Sequence, residues 1–491
     1  MDKSIALGPS VSRGSISAGT VYNLIGRFAF LLSGYALHIG LARILGPAGY
    51  GVVGLVVLWL INIARVLVTD GARPAISKFT AENEGLAAAV RGAGLRLELL
   101  FSALVVAALL VFAGPLAALL HDPSLAPYIR LSAPMVPIMA VVLLYQASLN
   151  GLRAFGRQAI VNIIYSAGRV AFALLGAWLW GVPGAVLGLV TGPLLSLVAG
   201  RLLLPAGRPG GRFPARRIIA FTLPLIPFAV GGALLMCLDL LLVKALLGEG
   251  AEVGYYTSAI TVSEIPYYAL IALVDTLLPV TAHLLARDQR PRARQTIATG
   301  LRYGLLLLIP GSALISATAR ALAVFLYSGA FAPAGGPLTV LIWGQTFFAF
   351  FSVLTAILTA EGKPGQAMAL MLGMLPLSAA LNLALIPRYG LVGAACSTTA
   401  ATLAGCVASF LLVRRDFGPV LRGRSVLAIV VAALASAALA GWWAPQGWLL
   451  IPAYLALWGV DILLLILLGE FKRDDLQRLR GLTSRLLGRS A

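Results

Sequence analysis

Apolar segments of about twenty residues recur along the whole 491-residue chain, and this feature limits its possible folds most. Only 11% of the residues are charged, whereas soluble domains carry about a quarter. A chain this apolar needs lipid as a solvent, where only helices and closed barrels satisfy their backbone polar groups. Barrel strands would alternate polar and apolar residues, which these continuous runs do not. The sequence therefore predicts an all-α polytopic membrane protein.

Fourteen segments have the length and composition of a spanning helix. They cover approximately residues 19–42, 50–69, 92–113, 130–149, 159–180, 184–204, 218–243, 254–276, 297–319, 337–359, 366–386, 391–413, 425–443 and 447–468. An even number of spans places both chain ends on the same side of the membrane. The first segment is long, contains Arg27 and lacks a cleavage site, so we expect an uncleaved first helix rather than a signal peptide.

The distribution of Lys and Arg orients the chain. With the N-terminus in the cytoplasm, the outer loops hold only Arg43, Arg130, Lys244, Arg320 and Arg388. Three more arginines lie within spans, and all the other basic residues lie on the inner side. This asymmetry follows the positive-inside rule and predicts that both termini are cytoplasmic. The net charge of +19 is thus explained by membrane topology, and we expect no nucleic-acid partner. Tryptophans mark the predicted outer boundaries, as expected for interfacial rings: Trp178, Trp180, Trp442, Trp443 and Trp448.

The sequence contains an internal repeat. Gly49-Tyr50 and, further on, Asp70-x-x-x-Pro74 recur 205 residues later as Gly254-Tyr255 and Asp275-x-x-x-Pro279. Residues 149–156 and 358–365 share leucine and glycine positions at an offset of 209. Chance identity is the alternative, but the matches also agree with the predicted topology. A six-helix offset preserves orientation, so the sequence predicts two parallel repeats.

This repeat predicts four regions. They are an N-terminal lobe of helices 1–6 (1–208), a C-terminal lobe of helices 7–12 (209–416), helices 13 and 14 (417–469), and a basic tail (470–491). Leucines in the tail recur near helical spacing between arginines, so it is either an amphipathic helix on the cytoplasmic leaflet or a solvated tail.

Four short motifs carry a family resemblance. They are Arg43–Gly51 (RILGPAGYG), Thr69–Lys78 (TDGARPAISK), Asn150–Arg157 (NGLRAFGR) and Ile386–Ala395 (IPRYGLVGAA). In this order, on these sides and with this helix count, they resemble the polysaccharide and lipid-linked oligosaccharide flippases of the multidrug/oligosaccharidyl-lipid/polysaccharide exporter superfamily. The resemblance covers essentially the whole chain.

The resemblance implies a V-shaped bundle in the bacterial inner membrane, with a cationic central cavity. It implies a substrate made of an undecaprenyl-pyrophosphate anchor and a short glycan, carried to the outer leaflet for O-antigen, lipopolysaccharide or exopolysaccharide synthesis. Membrane lipids, a polysaccharide polymerase and a chain-length regulator are the candidate partners. Lipid II flippases and multidrug extruders share this fold, so the fold does not name the cargo.

Helix 1 carries a polar stripe. Asn23, Arg27, Gly34 and His38 follow one another at spacings that place them on one helix face. If this face borders the cavity, Arg27 binds a phosphate by forked hydrogen bonds and Asn23 assists it. The alternative is that Arg27 reaches back to the inner headgroups. His38 is a candidate cavity residue or a hydrogen-bonded residue at the helix end.

Helix 5 carries a second stripe, formed by Asn162, Ser166 and Arg169. Arg169 lies deeper in the predicted membrane than Arg27 and is the second candidate phosphate ligand. Asn162 is a candidate residue of the same cavity. The alternative for Arg169 is a structural pair with an acid.

Helix 8 has the longest stripe: Thr257, Thr261, Glu264, Tyr268 and Asp275. Pro266 should bend this helix. Glu264 either couples transport to a proton or sodium ion or balances the charge of Arg169. Tyr268 is a candidate for stacking on sugar rings in the cavity.

Two further candidate carboxylates, Asp239 and Asp70, lie in or beside the spans. Asp239 is a coupling or charge-pairing candidate, and its spacing from Lys244 makes a direct pair between them doubtful. Asp70 and Asp275 occupy equivalent positions near the inner ends of helices 2 and 8, where each carboxylate should have a basic partner. They are either a symmetric inner gate, with Asp275 a further coupling candidate, or interfacial caps.

The sequence shows no phosphate-binding loop and no metal-spaced His or Cys cluster, so we expect neither an enzyme nor a cofactor apart from a coupling ion. Three functions remain as alternatives to an oligosaccharide flippase. A multidrug–cation antiporter predicts an acidic cavity without central arginines. A lipid II flippase shares the anchor and the cationic cavity. A membrane scaffold without transport activity is the third alternative, and it does not explain why the polar stripes are present.

Overall fold

The computed structural model describes residues 13–205, 211–248 and 250–470, and it describes only the backbone at 13–25, 27, 224, 227–228, 272 and 275. Every regular element in these ranges is helical, which confirms the predicted all-α class for this part of the chain. The predicted amphipathic tail lies outside the described residues except for Glu470.

The chain forms two compact units, Met1–Thr257 and Ser258–Ala491. The first contains α1 (Arg13–Val53), α2 (Ile61–Thr69), α3 (Ala72–Glu82), α4 (Ala87–Leu119), α5 (Leu125–Ser132), α6 (Met135–Gly151), α7 (Phe155–Leu203), α8 (Ala215–Thr222), α9 (Ile226–Leu247) and the first half of α10 (Gly250–Ser263). The second contains the rest of α10, α11 (Ile265–Ala286), α12 (Arg290–Ala317), α13 (Ala319–Leu326), α14 (Gly335–Ala360), α15 (Pro364–Phe417), α16 (Gly423–Trp443) and α17 (Leu450–Leu467). A π-helical segment, Gly54–Leu60, joins α1 to α2. The predicted lobe boundary at 208/209 stays a prediction.

Eleven helical stretches of the described residues are long and apolar enough to cross a membrane. Three of them, 49 to 55 residues long, would each far exceed the ~30 Å hydrocarbon layer if straight. Each of these three is interrupted at a glycine with positive φ, and each glycine lies between two predicted spans: Gly46, Gly181 and Gly390. The protein is a multi-pass membrane protein, and the count of fourteen spans stays a prediction.

The break at Gly181 turns α7 into a hairpin. A Cβ atom built on Gly176 would collide with the Gly184 carbonyl. The close pairs along the seam are Gly176 with Gly184, Phe172 with Gly188, and Gly168 with Gly192. Because each pair is symmetric about residue 180, the two halves of α7 run antiparallel in backbone contact. Small residues permit this approach, which is how helices pack where lipid removes the hydrophobic driving force.

The break at Gly390 has nearly the same backbone geometry, with φ 55° and ψ −135° against 62° and −138° at Gly181. A Cβ atom on Gly393 would collide with the Leu385 carbonyl. The α15 helix therefore also folds back on itself.

The two hairpins also begin alike. Phe155 and Pro364, the first residues of α7 and α15, are 209 residues apart, as are Gly181 and Gly390. In the turn before each helix, one residue adopts positive φ and donates its backbone N–H to a carbonyl three residues earlier. These bonds are Arg153 N–H to Asn150 (2.9 Å) and Gly362 N–H to Thr359 (3.0 Å).

The Gly-Tyr motifs mark a helix crossing. Within the first unit, a Cβ atom on Gly254 would collide with the Pro47 carbonyl, and one on Gly51 with the Gly250 carbonyl. A Cβ atom on Gly54 would collide with the Thr257 side chain. The two segments thus cross in close contact, and the glycines are required because backbone meets backbone.

A buried ion pair joins α9 to the loop between α4 and α5. Lys244 Nζ lies 2.7 Å from Asp122 Oδ2 and also donates to the Gly248 carbonyl, which caps α9. Lys244 is 2% exposed and lies inside α9. Lys244 therefore lies in the last turn of α9 rather than in a loop, and its predicted outer side stays a prediction. The doubt about an Asp239–Lys244 pair was justified.

We expect Gly176→Ala to destabilise the protein by about 1–3 kcal/mol, because the added methyl group overpacks the α7 hairpin. Gly373→Ala is the matched control, since nothing lies within 4 Å of a Cβ atom built there, and alanine favours a helix over glycine by about 0.5–1 kcal/mol. Thermal unfolding of the two purified variants measures the difference. Equal midpoints would contradict the close packing of this seam.

We expect Asp122→Asn to lower stability at neutral pH by about 1–3 kcal/mol, because it leaves the Lys244 ammonium buried with only the Gly248 carbonyl as a partner. Burial raises the pKa of Asp122, but hydrogen bonds from Lys244 and Ser124 outweigh it and hold the pKa below 3.8. The stabilisation is therefore present above pH 3.8 and is lost as the pH falls through the lowered pKa. Thermal midpoints of wild type and variant should converge on acidification, and a pH-independent difference would contradict this role.

Candidate functional site

The polar stripes of α1 and α7 face each other. The Asn162 amide donates a 2.9 Å hydrogen bond to the Gly26 carbonyl, and Arg169 donates to the Ser33 hydroxyl at 3.2 Å. Both pairs are 136 residues apart, so the two helices run parallel along this contact. Asn162 and Arg169 thus both contact α1, and their roles in a cavity stay predictions. For Asn23 and Arg27, also on α1, only the backbone is described, and their proposed roles stay predictions.

Arg169 lies between two aromatic rings. Its guanidinium carbon is 5.0 Å from the Phe30 ring centre and 5.4 Å from that of Tyr165. The two rings are nearly parallel, 15° apart, with centroids separated by 6.3 Å. Each ring face attracts the cation, by about 0.5–2 kcal/mol depending on desolvation. The rings therefore position the guanidinium without neutralising its charge.

Among the described residues of its unit, Arg169 has no acidic partner. The ion pairs among the described residues of this unit use Arg65, Arg73, Lys78 and Lys244, and Arg169 takes part in none of them. Its Nε atom is buried and has no hydrogen-bond partner among the described residues. A half-buried guanidinium with an unused donor suits an anion, and its planar fork matches a phosphate.

Gly34 and His38 flank Arg169 on α1. A Cβ atom on Gly34 would lie 3.8 Å from Arg169 Nη2, so this glycine leaves the guanidinium uncrowded. The Nδ1 atom of His38 is 2.7 Å from the hydroxyl of the fully buried Tyr50. This bond connects residues on the two sides of the break at Gly46. It has the geometry expected if His38 is a hydrogen-bonded residue at the helix end. The role of His38 in a cavity stays a prediction.

The polar stripe of predicted helix 8 lies on α10 and α11, and the helix is interrupted at Glu264. The α10 helix ends at Ser263 and α11 starts at Ile265, with Pro266 in its first turn. The predicted bend is thus present. Tyr268 donates a hydrogen bond to the Glu264 carboxylate one helical turn earlier.

Aromatic rings of the second unit surround this bend. The Tyr267 ring lies 5.6 Å from that of Tyr268 and 5.5 Å from that of Phe348. For Asp275 only the backbone is described. The proposed pairing of Glu264 with Arg169, ion coupling at Glu264 or Asp275, and sugar stacking on Tyr268 stay predictions.

Asp239 has uncharged hydrogen-bond donors. It is 3% exposed and accepts bonds from the Tyr256 hydroxyl (2.7 Å) and the Leu240 backbone N–H (2.8 Å). Each carboxylate oxygen accepts one of these two hydrogen bonds, as expected for a structural residue. Its proposed role in coupling or pairing stays a prediction.

Asp70 has the basic partner that its position at a helix C-terminus required. Arg65 Nη1 lies 3.2 Å and Arg73 Nη1 3.7 Å from Asp70 Oδ1, and the Thr69 hydroxyl donates to the same oxygen. Arg65, which lies within a predicted span, is thus a structural residue. The gate role of Asp70 stays a prediction.

Glu98 on α4 is a buried acid that the sequence reasoning missed. The residue is 1% exposed, and neither carboxylate oxygen has a hydrogen-bond partner among the described residues. It borders a cavity between α2, α4 and α8. The signal was available, because Glu98 lies inside a predicted span, where a charged residue costs about 2.5–3.5 kcal/mol.

A family model described as "Polysaccharide biosynthesis protein" matches residues 40–334, more than half of the chain. The chain belongs to this family. This family match confirms the resemblance to proteins of polysaccharide synthesis drawn from the four motifs, and the flippase activity stays a proposal. No curated protein matches the sequence.

Solved structures share the fold at low sequence identity. Lipid II flippase MurJ in an inward closed conformation is 12% identical, with 92% of this chain and 98% of that chain covered and a TM-score of 0.72. A multidrug resistance MATE family transporter in an inward-facing conformation is 14% identical, with 85% and 97% covered and a TM-score of 0.64. A MOP superfamily transporter from Pyrococcus furiosus is 15% identical, with 83% and 96% covered and a TM-score of 0.57.

We expect Arg169→Met to leave the thermal midpoint unchanged or to raise it, because it removes a buried charge that has no acidic partner in its unit. The control is Arg65→Met, which strands Asp70 and should destabilise by about 1–3 kcal/mol. Thermal unfolding of both variants in the same detergent compares them. Destabilisation by Arg169→Met equal to that of the control would identify Arg169 as a structural ion-pair residue instead.

Proposed function

We propose that this protein moves undecaprenyl-pyrophosphate-linked oligosaccharide from the inner to the outer leaflet of the bacterial cytoplasmic membrane, for the synthesis of a surface polysaccharide. The position of Arg169 is the observation that most supports this proposal. Its guanidinium lies between Phe30 and Tyr165, and its buried Nε–H has no hydrogen-bond partner among the described residues. A charged group within a membrane span implies a function. A pyrophosphate supplies a negative charge and an acceptor oxygen for the Arg169 Nε–H, which has no hydrogen-bond partner among the described residues.

The solvation of the substrate determines what a transport path must provide. Glycan hydroxyls cannot cross ~30 Å of hydrocarbon without replacements for their hydrogen bonds with water. A polar cavity provides these, while the prenyl chain stays in lipid. Outward movement of the anion is favoured by an inside-negative potential by about 2.3 kcal/mol per charge per 100 mV. Arg27 and Asn23 are proposed to extend the phosphate site, and His38, Asn162 and Tyr268 to line the cavity.

The proposed architecture has fourteen spans, with both termini in the cytoplasm. Dividing each long stretch at Gly46, Gly181 and Gly390 adds three spans to the eleven stretches. The matching turns and hairpins of α7 and α15 support two parallel six-helix repeats, with α16 and α17 as an additional pair. In our proposal these repeats are the lobes 1–208 and 209–416, which alternate access to a site between them.

The coupling ion and the partners are part of the proposal. Glu264, Asp239 and Asp275 are the candidate carriers of a proton or sodium ion, and Asp70 and Asp275 the candidate gate. A polysaccharide polymerase and a chain-length regulator are the proposed protein partners.

Lipid II transport is the second candidate, because the similar fold of Lipid II flippase MurJ extends over 92% of this chain. A pyrophosphate site at Arg169 suits both cargoes, since they share the anchor. A multidrug–cation antiporter is less compatible, because an uncompensated arginine repels cations.

We expect Arg169→Ala to reduce flipping of undecaprenyl-pyrophosphate oligosaccharide in proteoliposomes by about 10- to 100-fold, the equivalent of one charge-assisted hydrogen bond. Arg169→Lys should retain part of the activity because it keeps the charge and loses the fork. Arg130→Ala, which removes an exposed arginine of α5, is the matched control and should be unchanged.

The same assay separates the cargoes. Preference for lipid II would replace the oligosaccharide proposal with the second candidate. Transport of a cationic dye that survives Arg169→Ala, without transport of either lipid, would contradict both.

A further inference from the structure

A cavity lies within the first unit, between α2, α4 and α8. Its walls are apolar apart from Glu98 and Thr222, and are formed by Leu67, Val68, Ala72, Leu97, Phe101, Ile218, Ile219, Leu223 and Ile226. The Thr222 hydroxyl already donates to the Gly71 carbonyl at 3.2 Å. Glu98 is therefore the one charged group in the lining.

Neither carboxylate oxygen of Glu98 has a partner in the part of the chain that the structure describes, although the residue is 1% exposed. A buried polar group without a hydrogen bond costs about 1–3 kcal/mol, and a charged one costs more. A bound proton alone would remove the charge and leave the carboxyl group without hydrogen bonds. A ligand that brings both a positive charge and N–H donors satisfies both oxygens.

The nearest basic residue does not provide this. Arg73 contributes a favourable electrostatic interaction to Glu98, but its guanidinium is 43% exposed and lies 3.7 Å from Asp70. Arg216 and Arg217 on α8 are exposed, while Ile218 and Ile219 of the same helix border the cavity. No ion pair of the described residues includes Glu98.

We propose that this cavity is a binding site for an organic ammonium ion with an apolar body, whose N–H groups bind Glu98 and whose aliphatic or aromatic part fills the space against Leu67, Val68 and Phe101. The site lies inside a single unit and is distinct from Arg169, so it does not depend on the proposed cargo. It is a site for an accessory ligand of opposite charge to the proposed substrate.

Equilibrium binding of radiolabelled phenylbutylamine to the full-length protein in nanodiscs of zwitterionic lipid tests this proposal. Phenylbutanol is the uncharged counterpart, and empty nanodiscs correct for partition into lipid. Wild type should bind the amine about tenfold more tightly than the alcohol, or better, since a hydrogen bond to a charged group contributes about 1.5–3 kcal/mol. Glu98→Gln, which keeps the shape and removes the charge, should abolish this preference.

Two further variants complete the test. Glu82→Gln replaces an exposed glutamate of α3 and should bind like wild type. Val68→Phe reduces the cavity and should weaken binding of both compounds. Equal binding of amine and alcohol by wild type would identify an apolar lipid pocket and overturn the proposal. An amine preference that survives Glu98→Gln would overturn it as well. Because the assay measures binding without transport, its outcome is independent of the flippase proposal.

Discussion

Hydrocarbon offers no hydrogen bonds to a peptide backbone, and the architecture of this protein follows from that constraint. Every span is helical because a helix satisfies its backbone groups internally. Helices in lipid gain little from burying apolar side chains against each other, so they pack where small residues allow close approach. The glycine seam of α7 shows the result, since the backbone of one half lies against the backbone of the other.

The same constraint divides the charges of the first unit into two kinds. Some are neutralised locally, as with Asp70 beside Arg65 and Lys244 beside Asp122. Arg169 and Glu98 lie within predicted spans and take part in no ion pair among the described residues. An uncompensated charge in a low-dielectric environment persists only where something else stabilises it. A bound ligand is the simplest stabiliser, and the two residues call for ligands of opposite sign.

Local sequence reasoning succeeded where the interacting groups are close along the chain. The bend near Pro266, the basic partner of Asp70 and the interruptions between spans all depend on neighbouring residues, so their chemistry is visible in short windows. Local reasoning could not find the partner of Lys244, because Asp122 is 122 residues earlier and no local pattern connects them.

Periodicity and composition by themselves determined that this is an all-helical membrane protein with polar faces on helices 1, 5 and 8, because lipid solvation acts on each segment independently. The four motifs determined its family. Only the tertiary structure decided which charges are neutralised, since that depends on which helices come into contact. It placed Phe30 and Tyr165 around Arg169, attached His38 to Tyr50, and left Glu98 alone beside a cavity. The solvation of a charge depends on its neighbours in space, and a linear sequence does not contain those distances.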